Sequence, residues 1–202
     1  LSIGADLPQP NTVTNAQGSR RLVDAEVAYS LGDYEKAALM LFDLAQKPGP
    51  EQETATFYLA ESLYQKGDRG AARGYYEQIS TSNTASRYYQ PSLLRQVEIA
   101  IAQRDTSNVT NALQALDRLS PGLRKPEVPY VRGKYAFFEG KYDEALAYFT
   151  DVAKGSEQEM QAVYYSATVY VAKKDLARAT EMSNDIIART PRTPTERPVP
   201  GL

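Results

Sequence analysis

The stretch FFEGKYDEALAYF, Phe137 to Phe149, nearly repeats SLGDYEKAALMLF, Ser30 to Phe42. In both, a Gly is followed within two residues by Tyr, then come two charged residues, an Ala, and an apolar run that includes a Phe. Searching outward for the same turn gives Gly32-Asp33-Tyr34, Gly67-Asp68-Arg69, Arg104-Asp105-Thr106, Gly140-Lys141-Tyr142 and Lys174-Asp175-Leu176, spaced 35, 37, 36 and 34 residues apart. A fixed period of this size marks a repeat architecture. Apolar residues recur at helical spacing before each anchor, as in residues 56–65 and 163–173, and a second helical segment follows each anchor. The spacing therefore predicts five helix-turn-helix units.

Small residues explain how each pair of helices closes. Ala25, Ala60, Val97, Gly133 and Ala167 stand seven residues before the anchors, and Ala37, Ala72, Val109, Ala145 and Ala179 stand five after them. Small side chains at both places let two helices approach at the short end of the usual interaxial range. Leu41, Tyr76, Leu113 and Phe149, with Leu44, Ile79, Leu116, Val152 and Ile186 further on, supply one apolar stripe per second helix. Gly32, Gly67 and Gly140 suit a left-handed turn, and Asp33, Asp68, Asp105 and Asp175 are placed to cap the helix that follows. Residues 81–86 read as an extra loop between units. Residues 1–19, with Pro8, Pro10, Gly4 and Gly18, read as an extended N-terminal segment, and residues 191–202, with four prolines, as a Pro-rich tail.

Composition narrows the chemistry. The 202 residues are 42% hydrophobic and 24% charged, with a net charge of −2, so no basic footprint for nucleic acid is present. No apolar run is long enough for a membrane span. Without His and Cys there is no Ser-His-Asp triad, no thiol nucleophile, no HExxH zinc site and no disulfide framework. Carboxylate chemistry remains, through pairs such as Glu157 and Glu159, Asp143 and Glu144, or Glu51 and Glu53, but those read as solvated helix faces and first turns. No catalytic residue, cofactor or metal is expected. The Asn108-Val109-Thr110 sequon falls at a helix start and reads as a chance match.

With these turns, small residues and period, residues 21–191 resemble the tetratricopeptide repeat family. The first, second and fourth units match its pattern well, whereas the third lacks the turn glycine and the small residues, and the fifth has Ser183 at the aromatic place. The resemblance implies an all-α, right-handed superhelical solenoid of about five repeats near 20–49, 54–83, 91–121, 127–156 and 159–190. It further implies that the first helix of each unit lines a concave groove, which points to Tyr29, Phe57, Glu61, Tyr64, Glu98, Tyr130, Lys134, Phe137 and Tyr164 as partner-binding residues. Aromatics at helical spacing equally serve a core. The family's carboxylate clamp needs Lys and Asn where Leu22 and Glu26 stand. A line of acid, Glu26, Glu61 and Glu98, is expected to favour a basic or apolar segment instead. The wording of residues 58–79 and 91–105 is similar to bacterial cell-envelope members. The expected function is a protein or peptide scaffold in a periplasmic or envelope assembly for secretion, motility or outer-membrane biogenesis. A domain or adaptor of a peptidoglycan-acting enzyme is the alternative, and the cytoplasm the alternative location.

Overall fold

A computed structural model describes residues 10–189. Among these residues there are ten α-helices and no strand, in the order expected of a helix-turn-helix repeat solenoid. The hairpins are α1 Pro10–Ser30 with α2 Tyr34–Gln46, α3 Gln52–Lys66 with α4 Arg69–Ser82, α5 Tyr89–Gln103 with α6 Thr110–Asp117, α7 Glu127–Phe138 with α8 Tyr142–Thr150, and α9 Glu159–Ala172 with α10 Leu176–Arg189. The described residues fall into two compact units: those up to Ala100 with Ser107–Ala115, and Ile101–Thr106 with those from Leu116 onward.

The turns repeat one hydrogen-bonding pattern. The N–H groups of Asp33, Asp68, Lys141 and Asp175 each donate to the carbonyl five residues back, on Ala28, Leu63, Ala136 and Tyr170, at 2.9 Å. That closure needs a left-handed residue just before it. Gly32, Gly67 and Gly140 supply it, with φ of 80°, 91° and 75°, and Lys174 adopts the same conformation, φ 63°, without being a glycine. Arg104 is likewise left-handed, φ 53°. Asp33, Asp68 and Asp175 then accept the N–H three residues on, each at 3.2 Å. Asp105 is not followed directly by a helix as expected. The second helix of that unit begins only at Thr110, whereas the others begin right after the capping residue.

All ten small positions are buried, from 0% exposure at Ala25, Ala37, Ala60, Ala72, Val97 and Ala145 to 7% at Ala167. The larger residues fill the space around them: Leu41 and Tyr76 are fully enclosed, and Phe149 is 5% exposed. The expected extended segment 1–19 is corrected in part, because residues 10–19 belong to α1. Pro10 fits a first helical turn, where its missing N–H is not needed. The extension is also held by contact, since Ser19 Oγ donates to Glu51 Oε1 at 2.8 Å. Residues 1–9 and the tail 191–202 lie outside the described residues. Residues 81–82, expected in a loop, extend α4 instead.

At Gly133 the crossing leaves no space for even a methyl group. A Cβ built there would lie 2.5 Å from Cε1 of Phe149. Gly133→Ala is therefore expected to cost about 1–3 kcal/mol in urea denaturation, as overpacking does. Adding Phe149→Leu should return part of that loss; a Gly133→Ala variant of unchanged stability would mean that the ring is free to move.

Candidate functional site

In the first unit the first helices converge on one carboxylate. Glu61, from the middle of α3, is 5% exposed. Its Oε1 accepts the Tyr76 hydroxyl at 2.6 Å and Arg95 Nε at 2.8 Å; its Oε2 accepts Arg95 Nη2 at 2.9 Å and the Tyr29 hydroxyl at 3.3 Å. The third guanidinium nitrogen, Nη1, reaches Glu98 Oε2 at 2.9 Å. Tyr64 completes the group with its ring 4.5 Å from the Arg95 guanidinium carbon. Four helices thus meet at one bidentate ion pair, the geometry in which Arg binds carboxylate best.

The electrostatics follow from that geometry. Burial, then the charge of Glu61 and its hydrogen bond, push the Tyr29 hydroxyl up to about 12. The same causes, in the same order, raise the Tyr76 hydroxyl further. For Arg95, burial works against the cation, but hydrogen bonding and attraction to Glu61 and attraction to Glu98 outweigh it and raise its pKa.

These contacts correct the expected line of acid. Glu61 is not a groove carboxylate awaiting a basic partner, because both its oxygens are taken within the fold. Glu98 is bound to the same Arg95. The sequence reading missed Arg95, which stands 34 residues from Glu61 in the next repeat. The available signal was that period, since a carboxylate enclosed by a repeat needs its cation from a neighbouring one. Phe57 is half-buried and stacks on Tyr88, ring centres 4.4 Å apart.

The second unit has a different first-helix face. Tyr130 packs against Tyr165 at 5.9 Å and Phe149 at 6.4 Å, with Lys134 Nζ 5.2 Å from its ring centre. Phe137 lies between Tyr142 and Tyr165, at 6.0 and 6.3 Å. Tyr164 is 61% exposed and meets Tyr165 edge-on. Tyr165, which the sequence reading did not select, joins all three of these residues. Among the described residues no His/Cys/Asp/Glu group is arranged to hold a metal ion, and no helix is long and apolar enough to cross a membrane.

Helical hairpins with these turns, closed by small residues and repeated along the chain, define a repeat protein. The tetratricopeptide repeat model matches residues 22–86 and 130–191, and the chain belongs to that family. Compared with the curated proteins, the sequence matches none. Among solved structures it is similar to MamA from Desulfovibrio magneticus, at 12% identity and a TM-score of 0.69, over 85% of this chain and 93% of that one. It is also similar to a thermophilic tetratricopeptide repeat protein of Thermus thermophilus, at 19% identity and a TM-score of 0.62, over 89% and 95% of the two chains. At such identities the likeness concerns the fold.

Glu61→Ala would leave the Arg95 cation without its main partner and two tyrosine hydroxyls without their acceptor. A loss of about 3 kcal/mol is expected in urea denaturation, the low end for breaking a buried pair because Arg95 keeps some exposure. A loss below about 1 kcal/mol would show that water replaces the pair at little cost. The raised tyrosines give a second prediction. In the unfolded chain these hydroxyls ionise near pH 10, whereas in the folded chain Tyr29 holds its proton to about 12. The stability they carry is complete below pH 10 and is lost as pH rises from there towards 12. Tyrosinate absorbance and helical ellipticity, followed together, should reveal a class of tyrosines that ionises only as the helix melts.

Proposed function

We propose that the chain holds a protein or peptide partner against the first-helix faces of its repeats, as one subunit of a bacterial cell-envelope assembly serving secretion, motility or outer-membrane biogenesis. Repeats of this family generally mediate protein interactions. The observation that carries the reading is the state of the aromatic rings: Tyr29, Phe57 and Tyr64 in the first unit, and Tyr130 and Phe137 in the second, are half-buried, with other rings or a cation packed against them. Rings fixed in this way offer contact area with little entropy left to lose on binding. Because Arg95 neutralises Glu61 and shares Glu98, recognition in the first unit rests on rings and hydroxyls more than on charge. The partner segment should accordingly be aliphatic rather than strongly basic. The Cys-free composition suits an oxidising compartment such as the periplasm. The adaptor of a peptidoglycan-acting enzyme gains no support from Glu61, whose oxygens are engaged.

Affinity capture from the native host followed by mass spectrometry would identify the partner, and fluorescence anisotropy with its docking segment would then locate the surface. Tyr64→Ala and Tyr164→Ala are each expected to weaken binding about tenfold, or roughly 1.4 kcal/mol, while the helical spectrum is unchanged. Normal affinity in both variants would place the surface elsewhere, and capture of cytoplasmic proteins alone would end the envelope reading.

A further inference from the structure

The second unit holds a pocket that Tyr130, Phe137 and Tyr164 do not line. Its volume of about 460 Å³ falls within the roughly 300–1,000 Å³ of small-molecule sites. The end of α6, the segment that follows it, the first half of α7 and the end of α8 form its walls. Pro121, Pro126, Val128 and Pro129 supply much of the apolar lining, and Arg124, Lys125, Arg132, Asp117, Tyr148 and Asp151 the polar lining.

The donors in this pocket are held in place but not spent. Arg132, with 11% of its side chain exposed, donates from Nε and Nη2 to the Tyr148 hydroxyl at 3.2 and 2.9 Å, and its Nη2 pairs with Asp117 at 3.1 Å. Its Nη1 meets no acceptor among the described residues. A guanidinium this enclosed normally spends its donors. The Tyr148 oxygen accepts twice and keeps one proton to donate, which no described residue takes. Arg124 is fixed at the carbonyl end of α6, where its Nε donates to Leu119 O at 3.1 Å and its Nη2 to Asp117 O at 3.4 Å. Its Nη1 is likewise unspent.

An unspent acceptor stands beside these donors. Asp151 follows Tyr148 by three residues and keeps helical backbone angles, φ −78° and ψ −7°. The two side chains therefore leave the same side of α8, with Cβ atoms roughly 5–6 Å apart. Asp117 is committed to Arg132, whereas Asp151 pairs with no cation among the described residues. Asp151 also stands at the carbonyl end of α8, whose partial negative charge favours a cation.

We propose that this pocket binds a free α-amino acid with an aliphatic side chain. Its carboxylate accepts from the Tyr148 hydroxyl and from Nη1 of Arg132 and Arg124, its ammonium pairs with Asp151, and its side chain lies against Val128 and the prolines. A dianion would face Asp117 and Asp151, and a metal ion or basic peptide would face Arg124, Lys125 and Arg132. An uncharged ligand would leave both sets unmatched. The chain end of a protein brings the carboxylate without the ammonium, whereas an amino acid carries both on one carbon.

Calorimetric titration of the full chain with L-leucine, N-acetyl-L-leucine and L-leucinamide at neutral pH tests this. Leucine is expected to bind about tenfold or more tighter than either analogue. Asp151→Asn, at an exposed site, should weaken leucine about tenfold and leave N-acetyl-leucine unchanged. Tyr148→Phe, which keeps the ring, should weaken both, with the helical spectrum checking that each variant folds. Equal binding of leucine and N-acetyl-leucine would mark a plain carboxylate site, such as one for a partner's chain end, and overturn the proposal. No binding at millimolar leucine, or unchanged leucine affinity in Asp151→Asn, would overturn it as well.

Discussion

A hairpin of two helices closes tightly only where the side chains at its crossing are small, and Gly133 shows how little room remains: the Phe149 ring occupies the space its Cβ would need. The other hairpins meet the same condition with Ala or Val. Because the crossing is close, the aromatic or aliphatic residue beyond it becomes a plug, as Tyr76 and Leu41 are. Close approach also brings the first helices of successive repeats near enough to share side-chain contacts. Tyr29 and Glu61, 32 residues apart, are linked in this way. The hydrogen-bonded turns fix where the crossing falls, and the small residues fix how near it comes.

The Glu61–Arg95 pair shows what that proximity makes possible and what it costs. Enclosing a carboxylate is unfavourable unless a cation and hydrogen-bond donors replace the water it loses. Here one guanidinium and two phenols do so, drawn from three other helices. A pair of this kind adds less to stability than its contacts suggest, since desolvation offsets much of the attraction. Its effect is more selective: a shift in how one repeat sits on the next would draw the Tyr29 or Arg95 donors away from Glu61, while Tyr76, in the same hairpin, would keep its contact.

The hairpins, their turns and all ten small positions were legible in the sequence because each depends on residues a few places apart, where spacing maps directly onto geometry. The site was legible only in part. The rings were placed on the right helices, but Glu61 was misread as an open acid because the Arg95 that engages it lies 34 residues away, and Glu98 was misread although Arg95 stands only three residues before it on the same helix. The late start of α6 at Thr110 was equally hidden, since Asp105 has the residue type of a cap without the helix beside it. The start of α1 at Pro10 was obscured because a proline breaks a helix in its middle but not in its first turn.

Arg104 and Lys174 hold the left-handed conformation that glycine takes in the other three turns. A side chain there strains the folded backbone, yet it also removes the extra freedom a glycine gives the unfolded chain. These two side chains carry positive charge as well, and they sit where the carbonyl ends of α5 and α9 concentrate partial negative charge. The strain is thus offset by an attraction that dissolved ions screen and that a glycine turn does not possess. Ionic strength should therefore loosen the turns at Arg104 and Lys174 more than the turn at Gly32, whose helix has no basic residue in its last turn.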